Sequence, residues 1–288
     1  MATIRNPIEW GADQFRRATA HAGSTGRALR GSGADARSGP LVVRRIGVAD
    51  LGEVLRKGLA DFGAYRSDVV FLCLIYPIIG LVLARLAFDH DLLPLLFPVA
   101  SGFALLGPVA AVGLYEMSRR REQGVEASWT EAFGVLGAPA FGAIVVLGLL
   151  LLAIFLLWLV AAQVIYINTL GPEPPASAAA FLSEVVATEA GWTMIAVGVG
   201  VGFLFALLVL AISVVSFPLL LDRDVGIRTA ISTSVRVAAA SPLAIAAWGA
   251  IVAGGLVLGS LPLFLGLVVV LPVLGHATWH LYRRTVAR

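Results

Sequence analysis

Apolar residues along this chain collect into six long runs, at about residues 68–88, 92–117, 138–167, 191–221, 242–258 and 261–282. Most are close to the ~20 residues a helix needs to cross a bilayer core. The stretches ahead of the first, third and fifth runs are amphipathic. Over 50–66, Leu51, Val54, Leu55, Leu59 and Phe62 recur at helical spacing, and Glu53, Arg56, Lys57 and Asp61 take the other face. Val125, Trp129, Phe133 and Leu136 repeat the period, and Ile227, Ile231 and Val235 stand four apart. The second, fourth and sixth runs end instead in arginine, at Arg119, Arg223 and Arg283. This alternation predicts an all-α polytopic membrane helix bundle: six transmembrane helices as three hairpins, each with an amphipathic interfacial lead-in helix.

Local signals set the boundaries. Ser67 or Asp68 is placed to cap the first run, and Asp89, His90 and Asp91 read as a tight turn. The 168–190 loop opens on GPEPP and has room for a short helix over Phe181–Val186. Residues 1–49 are polar and basic and read as a flexible N-terminal segment, with 50–288 as the six-helix membrane domain. Within the first segment, Asn6, Pro7 and Glu9 form a helix-start signal, so Ile8, Ala12 and Phe15 belong either to a short helix on the membrane surface or to a frayed tail.

The second run, FPVASGFALLGPVAAVGLYEMSRRR, returns as LPLFLGLVVVLPVLGHATWHLYRR in the sixth. Without gaps, Pro98 falls on Pro262, Gly102 on Gly266, Pro108 on Pro272, Arg119 on Arg283 and Glu116 on His280. The match predicts two helices running in the same direction with similar bends at Pro108 and Pro272.

Composition agrees with the pattern. The chain is 59% hydrophobic and 14% charged, against about 25% charged for a soluble domain. Cys73 is the single cysteine, which excludes an internal disulfide. Charge placement orients the bundle. Of 21 Lys/Arg, eleven precede the first run, three follow the second, three lie between the fourth and fifth, and three follow the sixth. The 168–190 loop carries Glu173, Glu184 and Glu189 and no Lys or Arg. Basic short loops stay cytoplasmic, so both termini are expected inside. Trp158, Trp192, Trp248 and Trp279 are scattered among the runs, several of them as interface anchors.

TIRNPIEW, FPVASGFALLGP, GLYEMSRRREQG, SFPLLLDR and LPVLGHATWHLYRR occur in order at sensible spacing. They resemble the bacterial integral membrane proteins of domain-of-unknown-function family 2189, from about Val48 to the C-terminus. The resemblance implies a multi-pass protein of a bacterial inner membrane and carries no mechanism with it.

The search for chemistry is mostly negative. A haem–copper oxidase subunit, a label such proteins can carry, needs several intramembrane histidines, and here only His276 and His280 lie on a run, at its inner end. They share a helix face, as a two-histidine metal site requires, but no HExxH surrounds them, and packing at the interface accounts for them better. GVGVG at 198–202 lies inside an apolar run and reads as helix packing rather than a nucleotide loop. No Walker loop and no Gly-x-Ser-x-Gly elbow occurs. No catalytic residue, cofactor or nucleic-acid partner is expected; the expected partner is the lipid bilayer, with a membrane protein or a second copy of the chain beside it.

Two functional readings remain open. Ionisable residues deep in the membrane mark transport pathways, and the runs nearly lack them, which favours a structural, assembly or regulatory role. The alternative is a transporter or channel for a small uncharged solute. The residues best placed for function form a cytoplasmic rim: Glu116, Arg119, Asp222, Arg223, His276, His280 and Arg283. They act either as solvated anchors or as a partly desolvated cluster, with Glu116 and Asp222 meeting Arg223 and His280, that locks three helix ends or receives a partner.

Overall fold

The computed structural model describes residues 41–73, 81, 85, 93–125, 135, 137–262 and 264–287. Its elements are helical: α1 (Asp50–Cys73), α2 (Leu93–Ala110), α3 (Val112–Glu122), α4 (Phe141–Thr169), α5 (Ala178–Ala187), α6 (Glu189–Ser213), α7 (Ser216–Asp222), α8 (Ile227–Ala240), α9 (Pro242–Ser260) and α10 (Leu267–Thr285). Among the described residues, four stretches are long and apolar enough to cross a membrane: Leu93–Glu122, Phe141–Thr169, Glu189–Asp222 and Pro242–Ser260. Most of the first expected run, the turn at Asp89, and most of the amphipathic stretch at 124–136 lie outside the described residues, as does the expected helix near Pro7.

The helix ends follow local chemistry. Thr188 caps α6 by accepting from the Gly191 N–H at 2.9 Å, and Ser177 caps α5 by accepting from Ala180 at 3.1 Å. Pro242 opens α9, where its missing N–H removes no helical bond. The lead-in and the first expected run are joined through α1, whose backbone leaves helical geometry at Tyr65, two residues ahead of the expected cap at Ser67. The long stretches are broken where proline demands it. Pro218 crowds the carbonyl of Val214, four residues back, and the chain interrupts its helix at Val214 and Val215 between α6 and α7. The freed groups find partners. Ser234 of α8 donates to the Ala211 carbonyl at 2.7 Å and accepts from the Val215 N–H at 3.5 Å, while Ser216 donates to Ile212 at 2.6 Å and to Ala230 at 3.1 Å. In the absence of water, such side-chain bonds are what let a helix break at membrane depth.

α4 packs between α2 and α6, with Leu147 and Leu151 fully buried. Trp158 of α4 donates to the Pro98 carbonyl of α2 at 3.1 Å and lies against Phe205 of α6. Gly102 leaves room for the Phe155 ring and Gly202 for the Trp158 ring; a Cβ at either would stand 1.9 Å and 3.0 Å from them. Gly198 and Gly200 face open space, so only one glycine of GVGVG serves the packing expected of it. The rest of α6 turns Val199, Phe203, Leu204, Leu207 and Leu208 outward, the surface a bilayer would cover. Trp158, Trp248 and Trp279 are buried in the core; Trp192 alone of the four stands exposed, as an interface anchor does.

The two copies of the repeat differ in detail. α3 and α10 run parallel, as expected, since Leu114 meets Gly275, Ser118 meets His276, and Glu122 meets Trp279. The helix is interrupted at Ala111, one turn after Pro108, whereas α10 runs unbroken through Pro272. Pro98 lies inside α2, but Pro262 falls in the turn before α10, where Phe264 takes φ 65° and the Gly259 and Gly266 backbones touch. Pro272 is the sixth residue of α10, past the four positions whose N–H is free, so the helix passes it at the loss of the bond to the Val268 carbonyl.

Two amphipathic expectations are corrected. In α8 the buried face is Ala230, Thr233, Ser234 and Val237; Val235 is exposed, and Ile227 and Ile231 lie at the edge. In α1 the buried positions are Leu51, Val54, Gly58 and Asp61, while Leu59 is 56% exposed. Leu59 and Val235 alone turn outward, while Leu55, Phe62, Ile227 and Ile231 stay packed against the core; in α1 a small residue sets the closest approach, since a Cβ on Gly58 would lie 2.6 Å from the Ala277 Cβ and 2.7 Å from its nitrogen.

Residues 41–46 are fastened to the far end of the chain. The Arg44 N–H donates to the Thr285 carbonyl at 2.8 Å, Ala287 donates to Val42 at 3.0 Å, and Ile46 donates to the Ser241 hydroxyl at 3.0 Å. The last residues ahead of α1 therefore pack as part of the 50–288 unit.

Candidate functional site: the arginine-rich end

The ends of α3 and α10 meet the first four turns of α1 at one end of the bundle, and α7 packs against α3 and α10 there. At its centre is Asp61, whose side chain is 7% exposed. It accepts from Ser118 at 2.6 Å and from His280 Nε2 at 2.8 Å, both on Oδ2, and from Arg121 on Oδ1 at 2.6 Å. Ser118 has one hydroxyl proton and gives it to Asp61. Its oxygen therefore accepts from His276 Nδ1, 2.8 Å away, which puts the imidazole proton on that nitrogen. His276 Nε2 is buried and has no hydrogen-bond partner among the described residues. Burial acts to raise the Asp61 carboxyl, but the hydrogen bonds from His280 and Ser118 outweigh it and leave the group below its ordinary value.

A second group surrounds Asp222. Tyr282 donates to it at 2.6 Å, Arg283 at 3.3 Å, and Arg223 stands 3.9 Å away. Arg283 also bonds Glu122 at 3.0 and 3.1 Å, and Trp279, with Arg283 over its ring, donates to the same carboxylate at 3.1 Å. Arg223 reaches the Ala287 carbonyl. A third group ties α10 to the start of α1: Arg284 bonds Asp50 and, at 3.1 Å, Glu53. The Asp50 carboxyl lies below its usual range because the Gly47 N–H donates to it, with Arg284 adding to the effect.

Each expected rim residue can now be placed. Glu116, with a side chain 3% exposed, turns back on its own helix and accepts from Arg119 at 2.7 and 2.9 Å and from Arg120 at 2.7 Å. It does not meet Arg223 or His280, so the single cluster expected of these residues divides. Glu116 and Arg119 form one pair, Asp222, Arg223 and Arg283 form a second group, and His276 and His280 join Asp61. The two histidines do share a helix face, but both are committed to the Asp61–Ser118 chain, and among the described residues no group of three or more His, Cys, Asp and Glu side chains is placed to hold a metal ion. The residues missed were Asp61, Ser118, Arg121, Glu122 and Tyr282. One signal was legible: 51, 54, 58 and 61 follow a three–four–three spacing, which puts a carboxylate in register with the buried positions of α1.

Arranged in this way, the end can join four helices through directional bonds. Its carboxylates are already taken by donors. No curated protein and no solved structure matches the chain. Residues 96–222, which carry Glu116, Arg119 and Asp222, match the family described as a predicted integral membrane protein (DUF2189).

Proposed function

We propose that this protein is a non-transporting helical scaffold of a bacterial inner membrane, with a structural, assembly or regulatory role exerted through its arginine-rich end. The observation that carries the reading is the segregation of charge. No Asp, Glu, Lys or Arg occurs over 93–115, 141–169, 190–221 or 242–275, and the acids of the rim are bonded to arginine, histidine, serine or tyrosine within the chain. A coupled carrier keeps an ionisable group within the membrane to move with its cargo. A bundle that only has to hold shape concentrates its polar bonds where they fix helix register. In this reading six helices span the membrane as three hairpins, both termini lie in the cytoplasm, and the rim serves a membrane-protein partner or a second copy of the chain. The positive-inside distribution of arginine supports the orientation.

One observation favours transport of an uncharged solute: two spanning stretches are interrupted, at Ala111 and at Val214–Val215, and broken helices build the binding sites of many carriers. Both breaks lie toward the arginine-rich end, and the second is sealed by Ser216 and Ser234. Purified protein in liposomes, screened for flux of small polyols, sugars and amides, separates the readings. Flux above that of empty vesicles overturns the scaffold. Stable co-purification of a membrane protein from native membranes, or a defined oligomer, supports it.

A further inference from the structure

A cavity of about 520 Å³ opens beside the rim, between the 41–46 segment, the start of α1 and the end of α10. This is within the size range of small-molecule sites. Its wall includes five cations, Arg44, Arg45, Lys57, Arg283 and Arg284, against two acids, Asp50 and Glu122. That leaves a lining charge of +3, since 5 − 2 = 3. Counting Glu53 and Asp222 as well, which bond these cations from outside the wall, still leaves +1, since 5 − 4 = 1. The cations are not equivalent. Arg283 is engaged by Glu122 and Asp222, Arg284 by Asp50 and Glu53, and Lys57 by Glu53 at 3.0 Å. Arg44 and Arg45 are exposed, and neither makes a side-chain ion pair with a described residue. Yet the backbone that bears them is held by the Arg44–Thr285 bond, so two guanidinium groups are positioned at the cavity without a counter-charge from any described residue.

We propose that this cavity binds a phosphate-bearing anion, with Arg44 and Arg45 as its principal contacts and Lys57 as a third. The donor geometry favours phosphate over a simple carboxylate. A guanidinium offers a planar fork that pairs two oxygens at once, and a phosphate has enough oxygens to take both forks and an ammonium together, whereas a carboxylate is filled by one fork. The acids on the wall are already bonded, so an anion can enter without displacing them. The site lies where the apolar stretches give way to arginine, the level at which basic pockets meet phospholipid headgroups. The same chemistry would also take a free phosphate ester from solution. This inference goes beyond the scaffold reading and does not depend on it.

The test uses the full chain in neutral maltoside detergent, at ionic strength held constant with sodium chloride. Thermal unfolding is followed by tryptophan fluorescence while inorganic phosphate, glycerol 3-phosphate, phosphatidylglycerol in mixed micelles, or phosphate-free monoolein is titrated in. A saturable rise in Tm with a phosphate probe, and none with monoolein, is expected. A rise with glycerol 3-phosphate identifies a soluble ester as sufficient; a rise with phosphatidylglycerol alone identifies the headgroup as the source. Arg44→Gln with Arg45→Gln is expected to weaken the apparent affinity by about tenfold or more, the loss that follows from about 1.4 kcal/mol of binding. Arg56→Gln, which removes an exposed cation outside the cavity, should leave the affinity unchanged. If the double variant does not fold, Arg45→Gln alone carries the test, because its side chain bonds no other described residue. The proposal is overturned if no phosphate probe gives a saturable shift, if the cavity variant responds like the unaltered chain, or if Arg56→Gln weakens binding equally.

Discussion

Replacing Asp61 with alanine removes the acceptor on which α1, α3 and α10 converge. Three bonds are lost, and they are unequal. The Arg121 bond is to a side chain 39% exposed, which water can resolvate, so its share is about 0–1 kcal/mol. Ser118 is buried and His280 is 17% exposed; hydrogen bonds to a charged acceptor contribute roughly 1.5–3 kcal/mol each, and a stranded buried donor retains a desolvation penalty. The expected loss is therefore about 3–5 kcal/mol, the range for breaking a buried charged group from its partners. Asp61→Asn keeps the shape and one acceptor, so roughly half that loss is expected. Asp61→Ala with Ser118→Ala should lose less than the sum of the singles by about 0.5–3 kcal/mol, since the two share one bond. Unfolding in mixed micelles titrated with sodium dodecyl sulfate measures all three. The pH dependence has a definite sign. The native carboxyl titrates below its unfolded value, so its stabilisation is fully present above about pH 4 and is lost as pH falls through the folded value. Asp61→Ala should be flatter across that window. An alanine variant within about 1 kcal/mol of the unaltered chain, with the same acid limb, would refute the hub.

Gly58→Leu should separate α1 from α10, because the added Cβ meets Ala277 backbone atoms that cannot swing aside; a loss of at least ~1–3 kcal/mol is expected in the same titration, and an unchanged midpoint would contradict the close approach. Glu116→Gln should destabilise by roughly 2–4 kcal/mol and Arg223→Gln by under about 1, with effects that add, since Glu116 is bonded to Arg119 and Arg120 and not to Arg223; strong coupling between them would show that the groups act as one. Reporter fusions at Gly124, Gly226 and the C-terminus should read cytoplasm, and one at Pro174 the outside; an outside signal at Gly226 would reverse the proposed orientation. Ser234→Ala should lower stability by about 1–2 kcal/mol in the titration, as it strands the Ala211 and Val215 groups at the helix break, while Ser232→Ala, exposed on the same helix, should not.

The long apolar helices were legible in the sequence because a bilayer imposes length and composition on every spanning segment, and 141–169 or 242–260 have little else to satisfy. What failed were single positions on the short amphipathic helices. The rule assumes that large apolar residues fill the buried face and that small or charged ones stay outside. In α8, Val235 turns out and the small Ala230, Thr233 and Ser234 turn in to meet the broken end of α6, while Ile227 and Ile231 stay packed against the core. In α1 the same assumption put Asp61 among the solvated charges. Its true environment depends on Ser118 and His280, 57 and 219 residues away, and no local period contains them. The rim residues were legible as a level, because arginine ends three of the apolar runs. Their pairing was not, since it turns on side-chain reach: Glu116 finds two arginines within one turn of its own helix before it can cross to another.

This division between level and pairing bears on why the bundle needs a polar end. Helices in lipid gain little by burying apolar surface against one another, because lipid chains are equally apolar. At mid-depth, α2, α4 and α6 associate through close steps at Gly102 and Gly202, contacts that set distance but constrain rotation weakly. Asp61 constrains it strongly. Its two oxygens accept from α3 and α10 at once, so a rotation of α1 by one position would carry the carboxylate off both donors and leave Ser118 and His276 buried without it. Gly58, one turn earlier on the same face, admits α10 only in that rotation. The close step and the charged hub therefore specify the same register by independent means. The orphan nitrogen of His276 sits in that geometry: its Nδ1 serves the Ser118 bond, and its Nε2 is buried without a hydrogen-bond partner among the described residues.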